Sequence, residues 1–184
     1  NKNPVGQVGD SKGPPSAEPP FTSGSGPETR PVYAEGQAAG DVPANCAAAF
    51  EDGKWACEHR QTAIANLVEF GQVTAGQPVT HWQNVGGAPS NHIAFGRGNL
   101  GFVAINRTDR AATTTYQTGL AAGVYCNVAQ FDYLAAESRC VLPGTTTDAP
   151  AADLITVDDG GQIVDQTLAA MTALAIHNNA RLTV

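Results

Sequence analysis

From Val79 to the end of the chain, short β-rich runs follow one another with turn residues between them, at intervals of roughly 8–12 residues. The runs are VTHWQ, NHIAFG, FVAINR, TTTYQT, GVYCNV, DLITVD, GQIVDQTL and TALAIHN. Such spacing restricts this half to a sandwich or a barrel. Within "NHIAFGRGNLGFVAINR" the hexapeptide GRGNLG fits the G-x-G-x-x-G pattern of dinucleotide loops. That loop needs a helix opening at its third glycine. Here Phe102-Val103-Ala104-Ile105 follows, β-branched and aromatic and without a cap. The glycines therefore serve a hairpin turn. "VDDGGQIV" predicts a second hairpin, turning at Asp159-Gly160, and "FDYLAAESRC" suggests a helical turn inside the loop from Ala129 to Pro150. No internal repeat is evident.

The upstream part has another character. Eight of the twelve prolines lie within the first 45 residues. A long helix or a central strand is excluded there. The segment is either disordered or an extended coil, and Val5, Val8, Phe21, Val32 and Tyr33 favour a coil laid on another surface. From Trp55 to Phe70, "WACEHRQTAIANLVEF" predicts an amphipathic helix of about four turns. Ile64, Leu67 and Val68 fall at i, i+3 and i+4, with Cys57 and Arg60 on the same side, and Gly71 is the expected stop. A lone helix with one apolar stripe must pack on something. Residues 1–76 should then need a partner surface, while Val79–Val184 has strands enough for its own core.

A net charge of −7 and a pI near 4.9 argue against nucleic acid. No run of 18 apolar residues exists, so no membrane-spanning helix is expected. The sequence opens on Asn and carries no apolar leader, as expected of a mature form or a piece of something longer. Cys46, Cys57, Cys126 and Cys140 form no C-x-x-C pair, which disfavours zinc. Three disulfide connectivities are possible. The short spacings favour Cys46–Cys57 with Cys126–Cys140, formed in an oxidising compartment; reduced buried thiols are the alternative.

Residues that carry chemistry elsewhere do not converge in this sequence. His59, His81, His92 and His177 lie on four different elements, as structural or surface histidines would. There is no G-x-S-x-G elbow. Glu51-Asp52 and Asp158-Asp159 are adjacent in turns, where side chains diverge, so neither suits paired acid/base work. Arg97 at a hairpin tip reads as a surface guanidinium before an anion site. Asn106-Arg107-Thr108 is a formal N-glycosylation sequon. Taken alone, the residues point to a helix plus a secreted β-sandwich.

Three stretches add a resemblance. "WACEHRQTAIANLVEF", "VTHWQN…NHIAFGRGNLGFVAINR" and "YQTGLAAGVYCNV" are similar to the C-terminal third of secreted α-amylases of glycoside hydrolase family 13, in its animal-like bacterial branch. The ending "ALAIHNNARL" resembles the last strand of that family's terminal β domain, and Gly13-Pro14-Pro15 resembles the exit from its eighth barrel strand. The ordered set C-E-H-R, A-F-G-R-G and Q-T-G-L-x-A-G-x-Y-C is its most specific part. Departures are the long Pro-rich segment from Gly13 to Cys46, Gln61 in place of a tryptophan, and an expanded loop from Val85 to Ser90.

The resemblance implies a mainly β chain. Residues 1–76 would be the end of a (β/α)8 catalytic barrel, an extended Pro-rich segment plus its last helix. Residues 77–184 would be a C-terminal Greek-key β-sandwich. The two favoured disulfides fall at the family's positions. The family's catalytic carboxylates, and the ligands for calcium and, as a second candidate, chloride, would precede residue 1, so no catalytic, cofactor or metal residue is carried onto this chain. Implied partners are the rest of the catalytic domain and, through the parent enzyme, starch or another α-glucan. Alone the chain is expected to be inactive. The competing reading is a stand-alone, non-catalytic β module that binds glycan or self-assembles outside the cell.

Overall fold

A computed structural model describes residues 33, 35–38, 46–47, 55–57, 61–87 and 89–183. The expectations for Glu51-Asp52, His59, Arg60 and most of the Pro-rich segment lie outside the described residues. By its contacts the chain falls into two compact units, Asn1–Gln61 and Thr62–Val184.

In the first unit, β1 (Cys46–Ala47) and β2 (Trp55–Ala56) form a short parallel pair, Cys46 opposite Trp55. A disulfide joins Cys46 to buried Cys57, with the Cα atoms 5.5 Å apart.

The second unit opens with helix α1, Thr62–Val73. The expected start at Trp55 is therefore wrong, because the β2 pairing and the disulfide hold residues 55–57 in extended form. The expected stop at Gly71 is also wrong, since the helix runs through it. The backbone leaves the helix instead through Gly76, whose φ of +72° is the left-handed conformation glycine tolerates best.

Ten strands follow: β3 (Val79–Asn84), β4 (His92–Arg97), β5 (Gly101–Asn106), β6 (Ala112–Gln117), β7 (Gly123–Tyr125), β8 (Asp132–Leu134), β9 (Arg139–Val141), β10 (Ile155–Val157), β11 (Gln162–Leu168) and β12 (Thr172–His177). Their pairing is nested. β5 pairs with β12, β6 with β11 and β7 with β10, all antiparallel, so the chain runs out and returns along itself. The hairpin β8–β9 occupies the far end, where a helical turn was expected. Alternation in Asp132-Tyr133-Leu134 is too short to be recognised by period alone. β3 and β4 extend the β5–β12 pair into a four-stranded sheet.

The GRGNLG hairpin is present, with Arg97 opposite Gly101 and Gly98 at φ +55°. The VDDGGQIV segment differs from expectation. Asp158 and Gln162 close the turn through a backbone bond, and Asp158 Oδ1 accepts from the N–H groups of Gly160 and Gln162. The flanking strands β10 and β11 then leave for different partners. This turn is held by the QTG segment. Thr118 donates through its N–H and Oγ1 to the Gly161 carbonyl, and Gln117 Nε2 reaches the Gly160 carbonyl.

One core lies between the sheets, built on Phe102, Ala104, Tyr116, Tyr125, Leu174 and Ile176. Fully burying such side chains contributes roughly 1.5–3 kcal/mol each. A second core covers the opposite face of β12, with Phe70, Val128, Phe131, Ala175 and the Cys126–Cys140 disulfide, Cα atoms 5.3 Å apart.

Asn106 of the formal sequon is enclosed. Its Nδ2 donates to the carbonyls of Arg110, Leu168 and Ala169, and its Oδ1 accepts from Thr108. It fastens the end of β5 to the β11–β12 turn and offers no amide for a glycan.

Helix and sheet meet at Gly101. A Cβ there would stand 2.5 Å from Thr74 Cγ2 and 2.9 Å from the Phe70 ring. We predict that Gly101→Val destabilises the chain by about 1–3 kcal/mol through overpacking. Gly71, in the same helix with open space around it, should gain roughly 0.5–1 kcal/mol on substitution to Ala. Urea unfolding of the two variants measures both, and equal effects would refute the close approach.

Candidate interaction surface

Helix periodicity divides α1 into two useful faces. Asn66, Phe70 and Thr74 recur at i+4 and face the sandwich. Asn66 Nδ2 donates to the Phe131 carbonyl and to Asp132 Oδ1, 2.9 and 3.1 Å away. Phe70 meets the His177 ring edge-on at 6.1 Å. Ile64, Leu67 and Val68, the stripe expected to need a partner surface, are exposed, Val68 by 59%. A groove of about 560 Å³ runs along the helix, lined by Ala65, Val68, Glu69, Gln72, Val73 and Asn179.

Edge strand β3 carries a second exposed apolar cluster. The register shifts between Thr80 and Gln83, where His81 adopts φ +48°. That bulge sets Trp82 over Phe95, with the rings stacked at 5.6 Å and 13°. Trp82 and Val79 are each 52% exposed. Single exposed apolar side chains are ordinary on a protein surface. Clusters on a helix stripe and on a sheet edge mark contact surfaces.

The three described histidines lie in separate places. His81 is exposed on the β3 bulge, whereas His92 and His177 are buried. His92 Nε2 lies 2.6 Å from the Tyr116 hydroxyl, and burial pushes the pKa of that hydroxyl up to about 12. The Nδ1 atoms of His92 and His177 have no hydrogen-bond partner among the described residues. Burial lowers the pKa of both, with Glu69 opposing the shift at His177. Arg97 is half-buried at the end of β4. Among the described residues no group of three His, Cys, Asp or Glu side chains could hold a metal ion, and no helix is long and apolar enough to cross a membrane. The exposed face of α1 was readable as a stripe in the sequence. The Trp82–Phe95 stack was not, because it depends on a bulge that no residue type announces.

The second unit is thus an all-β sandwich that carries a helix on one face, with the apolar stripe of that helix exposed. The chain belongs to the family described as the alpha amylase C-terminal all-beta domain, which matches residues 82–179. It is 50% identical over 78 residues to human Alpha-amylase 1B, covering 42% of this chain and 15% of that protein. It is 39% identical over 133 residues to the Alpha-amylase of Streptomyces violaceus, covering 72% and 19%. Among solved structures, wild-type alpha-amylase I from Eisenia fetida superposes with a TM-score of 0.57 at 31% identity. That match covers 85% of this chain and 27% of the other. The chain thus spans between 15% and 27% of the length of these relatives.

The two buried histidines give stability a pH dependence. Each has a folded pKa below its unfolded value near 6.5, so the unfolded chain binds more protons as acidity rises. Stability should be full above about pH 7 and fall as pH drops below the unfolded pKa. Urea midpoints measured across that range test this, and a midpoint that is flat or rises on acidification would contradict it.

Proposed function

We propose that this chain is the C-terminal portion of a secreted α-amylase, an enzyme that hydrolyses internal α-1,4-glucosidic bonds of starch and glycogen. Residues 1–76 would close the (β/α)8 catalytic barrel, with α1 as its last outer helix. Residues 77–184 form the domain that caps and stabilises the barrel. The observation that carries this reading is the exposed stripe Ile64–Leu67–Val68. A barrel flank would bury it, with a gain of roughly 1.5–3 kcal/mol for each side chain fully covered.

On this reading the chain's own contribution is mechanical. The two-carboxylate chemistry of a retaining glycosidase belongs to the parent's other residues. Calcium, with chloride as a second candidate, would also be held there, since the described residues offer no converging ligand set. The Cys46–Cys57 and Cys126–Cys140 disulfides support an extracellular setting. The partner is the remainder of the catalytic domain, and α-glucan is met only through it.

The purified chain should show no hydrolysis of soluble starch or of a blocked maltooligosaccharide. Hydrolysis that survives repurification and disappears when a carboxylate of this chain is replaced would overturn the assignment of catalysis to the rest of the enzyme.

A further inference from the structure

We propose that the seat of α1 on the sandwich is an acid-operated latch, in which protonation of His177 frees the helix while the strands stay folded. The latch lies wholly within the second unit and does not depend on the amylase reading.

His177 closes β12 on the outer face of the sheet, the face it shares with Ala175 by the alternation of a strand. It is 1% exposed, and the helix supplies its cover. Phe70 meets its ring edge-on, and Gly101, its partner across β5, lies beneath the same Phe70 ring and the Thr74 methyl. The buried Nδ1 of His177 has no hydrogen-bond partner among the described residues. A neutral imidazole tolerates this, because one of its nitrogens need only accept. An imidazolium donates from both. Charging His177 in place would bury a cation with an N–H that nothing accepts. Lifting α1 would give it water.

The helix is suited to lifting. At 12 residues it has a length at which an isolated helix is marginal in water, and Phe70 is its one buried residue. Its other hold is Asn66, bonded to the Phe131 carbonyl and to Asp132 Oδ1. His92 has no such exit. It faces Tyr116 in the core between the sheets, where only opening of the sandwich would hydrate it.

Glu69, exposed on α1, is the one charged residue in the segments around His177, residues 62–75, 99–106, 126–131 and 172–180. Arg97 stands in the same row of the sheet beyond Gly101, about 10 Å from His177 at ordinary strand spacing. Burial disfavours the charged imidazole, and Glu69 opposes that effect without cancelling it. The docked pKa is therefore lowered, whereas in the released state the ring titrates near its ordinary value of 6.5. Docking should be at full strength above about pH 7 and weaken by up to tenfold per pH unit below about 6.5, until the docked pKa is passed.

Amide hydrogen exchange of the full 184-residue chain tests this, followed from about pH 8 to about pH 5 with intrinsic rates divided out. Protection of Asn66–Thr74 should fall on acidification, while Phe102–Ile105 in β5 stays the better protected. In His177→Gln the acid loss in α1 should vanish. Glu69→Gln, a change at an exposed site, should enlarge the ratio of α1 protection between the two pH limits, because the docked histidine loses its one favourable charge. This second variant decides the matter if the first fails to fold. The proposal is overturned if α1 and β5 lose protection together to a common value, or if α1 shows no acid loss. It is equally overturned by a loss that persists in His177→Gln, or by a ratio in Glu69→Gln that is unchanged or smaller.

Discussion

The position of α1 depends on a side chain that is not there. Gly101 opens β5 and leaves the Phe70 ring and the Thr74 methyl room to settle on the sheet. From that contact follow the T-shaped meeting of Phe70 with His177, the burial of His177 and the second core around Ala175. The same contact fixes the rotation of the helix. With Asn66, Phe70 and Thr74 turned to the sandwich, Ile64 and Val68 turn away, and Leu67 stands at the flank between the two faces. The sandwich therefore does not satisfy its helix. It holds the helix with Ile64 and Val68 outward.

Nested strand pairing explains why the sandwich can serve as such a base. Each outgoing strand finds its partner on the return, so register errors in one pair would propagate to the next. Buried polar side chains oppose such slips. Asn106 ties β5 to the β11–β12 turn, and Thr118 ties the exit of β6 to the entry of β11. Both are almost wholly buried and bonded to backbone carbonyls, so a shifted register would strand them without partners. The Q-T-G-L and G-x-Y-C segments, read in the sequence as a family resemblance, have this physical use. Gln117 and Thr118 hold the Asp158–Gln162 turn, and Tyr125 Oη donates to the Ala121 carbonyl.

Much of this was legible wherever a residue pattern and a local interaction coincided. The GRGNLG hairpin, the strand runs and the apolar stripe of α1 are local facts. The errors arose where distant partners decided. Trp55–Cys57 has helical spacing, but a pairing with Cys46–Ala47 and a disulfide hold it extended. Gly71 looked like a helix stop, yet packing of Phe70 and Thr74 carries the helix beyond it. Asp159-Gly160 makes a turn, but the partners of β10 and β11 come from β7 and β6.

The central claim is that α1 presents a stripe meant for another body. Labelling of Val68→Cys with a bulky thiol reagent tests it most directly, in this chain and in the longer protein that the proposed function requires. The account predicts rapid labelling in the monomeric chain and strong protection in the longer protein. Protection already present in the monomeric chain, or equal reactivity in both, would contradict it.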